Sequence, residues 1–113
     1  MYSEQEKLEL QKIMEAFGDY LNRTTALDIL YSSKFDCYLK IRILDGEPEM
    51  MDVVSSAREL FRFLCHSIVS DYLEQIEDGF DHELTEKDKL EIEKILQVYT
   101  AKLPSYEFDL SIY

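Results

Sequence analysis

An α+β fold is predicted, with a small, three-stranded, mostly antiparallel sheet covered on one face by three helices in the order α-β-β-α-α-β. Two observations carry this. The spacing of apolar residues switches between the helical three-and-four period and the alternating period of a strand, and it does so more than once along 113 residues. Breakers are also scarce, with three Gly and two Pro in the whole chain, so each one punctuates the pattern where it stands.

Ser3 followed by Glu6 has the spacing of a capping box, which supplies acceptors to the unpaired amides of a helix start. Leu10, Ile13, Met14, Phe17 and Leu21 then recur on one stripe, predicting a first helix that ends near Asn22 with Gly18 inside it. From Thr24 to Asp45 the period becomes two, and β-branched and aromatic residues accumulate, which predicts a hairpin. Phe35, Cys37, Leu39, Ile41 and Ile43 form the inner set of its second strand, and Leu27, Ile29 and Tyr31 form the matching set of its first. Asp36, Tyr38, Lys40 and Arg42 point the other way.

Gly46 and Pro48 are read as a turn and a first helical position, opening a central helix that runs to about Asp78. Its stripe is Val54, Ala57, Phe61, Leu64, Ile68 and Tyr72, with Phe63 projecting nearly opposite Phe61. Thr85 and Asp88 resemble a second capping box, before Leu90, Ile92, Ile95, Leu96 and Tyr99 of a third helix that ends ahead of Pro104. Lys87 with Glu91, and Lys89 with Glu93, have the spacing of ion pairs along that helix. The closing segment alternates again, with Tyr106, Phe108, Leu110 and Ile112 inward, and is read as a third strand. Its outward Glu107 and Asp109 complement Lys40 and Arg42, which predicts pairing with the second strand.

The length suits one domain, residues 1–113, able to bury roughly two thirds of the unfolded surface. No leader and no apolar run near the roughly 18 residues of a membrane span are seen, so a cytoplasmic protein is expected. A formal charge of −12 argues against direct binding to nucleic acid or anionic lipid, since both require a basic face. The same charge attracts a basic partner.

Motif-borne chemistry is weakly represented. Cys65 and His66 are adjacent on a helix and diverge by about 100°, so they do not form a nucleophile and base pair. Both Cys37 and Cys65 are read as small apolar residues of a reduced core. Asp78, Asp81, His82 and Glu83 lack the register of a calcium loop and the second His or Cys that zinc requires. The glycines stand alone at 18, 46 and 79, without a phosphate-cradling spacing. No catalytic residue, metal or cofactor is therefore assigned.

Charge is concentrated in residues 71–93, which hold ten of the 24 acidic side chains. Asp71, Glu74 and Asp78 lie on one side of the central helix near a carboxyl end that disfavours anions, and Asp81 and Glu83 extend the field. These five are the predicted partner contacts, with Phe63 and Tyr38 as apolar anchors. The function expected is an interaction or regulatory module without catalytic activity that meets a basic protein and is open to homodimerisation through a sheet edge. The alternative is a small enzyme or ligand-binding protein with a pocket between the sheet and the central helix.

Overall fold

The computed structural model describes residues 2–76 and 83–113, apart from the side chain of Ile112. In chain order the described elements are α1 (Glu4–Ala16), α2 (Gly18–Arg23), β1 (Leu27–Ser32), β2 (Cys37–Leu44), β3 (Glu47–Val53), α3 (Ala57–Glu74) and α4 (Glu86–Thr100), followed by a 3-10 turn, Leu110–Ile112. The class is α+β, with a three-stranded antiparallel sheet of order β1-β2-β3. Three of the four described helices are long, and all three strands precede α3, so the chain order differs from the expected one. The backbone groups into two compact units, residues 1–60 and 61–113.

In the first unit, Ser3 caps α1 as expected, its hydroxyl accepting from Glu6 N at 3.0 Å. The carboxylate of Glu6 does not close the box. It accepts instead from Ala57 N, where α3 starts, so a negative charge meets the amide end of a second helix. The single first helix breaks at Phe17, whose backbone (φ −96°, ψ 10°) leaves the helical region before Gly18 begins α2. Leu10, Ile13, Phe17 and Tyr20 are buried.

The β1–β2 register runs from Leu27 opposite Arg42 to Ser32 opposite Cys37. Directly opposed residues share a face, so Leu27 and Ile29 lie with Arg42 and Lys40, whereas Cys37 and Ile41 lie on the other side. The predicted common inner face is therefore corrected, because the four-residue connection between the strands offsets the two apolar sets. Each face buries one pair of residues, while Phe35 in the connection is 70% exposed and Tyr31 is 52% exposed.

The third strand comes from a segment read as helix. Asp45 and Gly46 both have positive φ, 52° and 79°, and join Leu44 to Glu47 as a two-residue type I′ turn, whose twist suits a hairpin. Pro48 is accommodated because β3 is an edge strand. Met51 is the extra residue of a bulge between the Ile41–Met50 and Lys40–Asp52 pairs. Arg42 finds an acidic partner across the strands, but it is Glu49 of β3, at 3.2 Å, and not Glu107 or Asp109. Flanked by β1 and β3, β2 has no edge to offer residues 104–113.

α3 starts nine residues after Pro48, at Ala57. Ser56 Oγ accepts from Glu59 N at 3.1 Å, and the Glu59 carboxylate accepts from Ser55 N at 3.1 Å and pairs with Lys40. In the second unit α3 buries Phe61, Leu64, Cys65, Ile68, Val69 and Leu73, about half its circumference. Thr85 and Asp88 form the complete capping box expected of α4. Ile92, Leu96 and Tyr99 are buried, whereas Leu90 and Ile95, expected inward, are 59% and 42% exposed. The Lys87–Glu91 and Lys89–Glu93 ion pairs are not formed among the described residues.

The alternation of residues 106–110 is present in burial, with Tyr106 and Phe108 half-buried, Leu110 buried, and Glu107 and Asp109 exposed. The ladder is not. Tyr106 stacks on Phe61 with ring centroids 5.2 Å apart, and Phe108 meets the His66 ring edge-on at 4.9 Å, so the segment lies against α3 without pairing to a strand.

Candidate functional site

The predicted contact residues fall in three places. Phe63, Asp71 and Glu74 share one side of α3, since eleven residues make about three turns and return to within roughly 20°. Phe63 and Asp71 are half-buried and Glu74 is exposed. The Phe63 carbonyl accepts from Ser67 Oγ at 3.1 Å, which continues the polar character of that side. Glu83 is exposed three residues before Glu86, the first residue of α4, whose charge suits the helix dipole, and Asp78 and Asp81 lie outside the described residues.

Tyr38 belongs to the first unit and to a different setting from the one expected. Its ring meets that of Tyr31 edge-on at 5.1 Å and approaches Tyr2 at 6.4 Å, and its amide donates to the Tyr2 hydroxyl at 3.2 Å. That hydroxyl in turn donates to the Val54 carbonyl. Tyr31 donates to Asp36, and Lys7 pairs with the same carboxylate at 2.7 Å. Hydrogen bonds from Lys7 and Tyr31 hold the Asp36 carboxyl below its ordinary range, and the bond to Asp36 raises both the Tyr31 phenol and the Lys7 ammonium. Asp36 adopts a positive φ of 49°, a conformation that Asp tolerates at the end of a turn. Together Tyr2, Lys7, Gln11, Tyr31, Asp36 and Tyr38 line a pocket of about 250 Å³.

The thiol and imidazole are occupied structurally. Burial pushes the Cys65 thiol up to about 12, far from a reactive thiolate. His66 Nδ1 shares a hydrogen bond with the Tyr113 hydroxyl, and desolvation, followed by the nearby Arg62 charge, lowers the imidazole below its ordinary value. Among the described residues, no group of three or more His, Cys, Asp and Glu is placed to hold a metal ion, and no helix is long and apolar enough to cross a membrane.

A second cavity was not anticipated. It is an open groove of about 590 Å³ in the second unit, with Glu93, Leu96, Gln97 and Thr100 of α4 on one wall and Tyr106 to Leu110 on the other. Three of its lining residues are carboxylates and none is a cation. The period-two pattern of residues 104–112 is its sequence signal, and the same pattern fits a strand, which conceals a groove wall. No protein-family model matches this chain, and no curated protein or solved structure matches it.

Proposed function

We propose that this protein is an acidic interaction module, without catalytic activity, that engages a basic protein partner. The observation that carries the reading is the location of its charge. The chain has a formal charge of −12, and no charged or polar residue is buried among the described residues, so the acidic excess is presented to solvent. Such a surface steers cationic partners and suppresses anionic ones. Asp71, Glu74 and Glu83 are the contacts assigned to this role, with Phe63 beside the first two as an apolar anchor; Asp78 and Asp81, outside the described residues, are assigned to it from the sequence alone, and Tyr38 is a separate anchor. The test is capture from a lysate of the native host at low and high salt, comparing the natural chain with Asp71→Lys, Glu74→Lys, Glu83→Lys. Basic proteins should be retained at low salt, released at high salt and lost by the triple variant. Retention that is indifferent to both salt and the reversals would remove the patch from consideration.

A second reading is favoured by the pocket of about 250 Å³, whose three tyrosines and Lys7–Asp36 pair combine apolar walls with oriented polar groups. A small ligand held there raises the unfolding temperature by mass action, so thermal shift against metabolites and nucleotides tests it. A flat response across a broad panel would leave the tyrosine cluster as packing alone. Homodimerisation through the exposed β3 edge belongs to the first reading. Sedimentation equilibrium should then give a mass that rises with concentration, and a concentration-independent monomer would rule it out.

A further inference from the structure

We infer that the groove between α4 and residues 106–110 takes an extended, arginine-bearing peptide segment of the basic partner, an inference that rests on the basic-partner reading and names its contact. Three features of the second unit converge on that occupant.

The first is charge. Glu93 stands on the helical wall and Glu107 and Asp109 on the opposite one, so a guanidinium entering between them meets carboxylates from both sides. The second is an aromatic and apolar floor that is already fixed. Tyr106 and Phe108 line the groove while their rings are held by Phe61 and His66, and Leu110 is buried beneath. Guanidinium groups stack on such rings, and a floor ordered in advance lowers the entropic cost of binding. The third is the backbone. Asp109 is extended at φ −95° and ψ 110°, and the N–H and C=O groups of Glu107 and Phe108 make no hydrogen bond among the described residues, whereas the Asp109 carbonyl opens the 3-10 turn Leu110–Ile112. A period-two segment with unpaired main-chain groups is the template that strand addition uses: main-chain bonds give affinity and alternate side chains give specificity. A groove of about 590 Å³ has room for two to three residues of such a peptide, with the flanking residues continuing along the edge.

The probe is a fluorescein-labelled heptapeptide of alternating Arg and Val, measured by fluorescence anisotropy at low salt. Its counterparts carry Glu in place of Arg, or N-methyl groups on alternate amides. The protein variants are Glu93→Lys with Glu107→Lys, both exposed positions, and separately Asp71→Lys with Glu74→Lys and Glu83→Lys, each checked by circular dichroism. The Arg peptide should bind, the Glu peptide should not, the groove variant should weaken binding about tenfold or more, and the α3 variant should leave it within about twofold. N-methylation on the pairing edge should weaken it comparably. Amide shifts induced by the peptide should cluster at residues 93–110.

If the α3 variant abolishes binding and the groove variant does not, the basic-partner reading stands and the groove is wrong. Equal loss in both variants, or indifference to N-methylation at both registers, would reduce the effect to net charge and likewise overturn the groove. No binding of the Arg peptide at low salt overturns the groove, while salt-sensitive retention of basic proteins that is lost in the Asp71, Glu74 and Glu83 variant would leave the basic-partner reading standing.

Discussion

At the residue scale, burial decides what the two most reactive side chain types do. Cys65 is fully buried with its thiol raised to about 12, and Cys37 is buried as well, so neither should react with a water-soluble disulfide reagent at pH 8 while the protein is folded. Both should react in denaturant. Rapid labelling of the native protein would contradict the described packing. His66 carries a stated pH dependence. Its imidazole is held below the ordinary value of about 6.5, so the unfolded chain binds its proton more readily than the folded one. Stability from this group is therefore complete above about pH 6.5 and is lost as the pH falls toward the folded value. Its ring resonances should titrate below the free imidazole by NMR, and the melting temperature should fall from pH 7 to pH 5 with a slope that shrinks in His66→Gln. Phe61, stacked on Tyr106 and 1% exposed, should cost about 3–5 kcal/mol on replacement by Ala, measured by urea unfolding.

At the scale of elements, short-range chemistry was legible where one residue pair determines it. Thr85 and Asp88 form the predicted capping box, and Ser3 caps α1. The β2–β3 turn and the start of α3 have local signals too. Asp45-Gly46 between two apolar runs is a strong hairpin signal, and Ser56 with Glu59 has the spacing that starts α3, but Pro48 also suits a first helical position, and the two signals compete over the same residues. Since nothing lies near a Cβ added at Gly46, Gly46→Ala should be opposed by backbone conformation alone, at about 1 kcal/mol in an unfolding titration. Ser56→Ala should cost a similar amount, about 1 kcal/mol, by removing the acceptor from Glu59 N. Residues 106–110 show the limit of periodicity. Alternating burial requires only an extended chain against an apolar surface, whereas a strand also requires a partner with free backbone groups.

At the scale of the whole molecule, an acidic chain should bind cationic partners with a strong salt dependence, and raising salt from about 50 to 500 mM should weaken the Arg peptide more than tenfold if its contacts are exposed carboxylates. The candidate site was legible only as charge. Residues 71–93 announced an acidic field, but Tyr38 was drawn into a tyrosine cluster with Tyr2 and Tyr31, and the groove of Glu93, Glu107 and Asp109 was not foreseen. By itself the sequence determined the α+β class, the helical stripes, the two capped helix starts and the sign of the surface, because each depends on neighbours within about one helical turn or on a sum over residues. Only the tertiary structure decided which segment became the third strand, which sheet face each apolar set occupies and where the acidic groove opens. Those choices depend on register and on which backbone edges remain unpaired, quantities fixed by contacts between residues far apart in the chain.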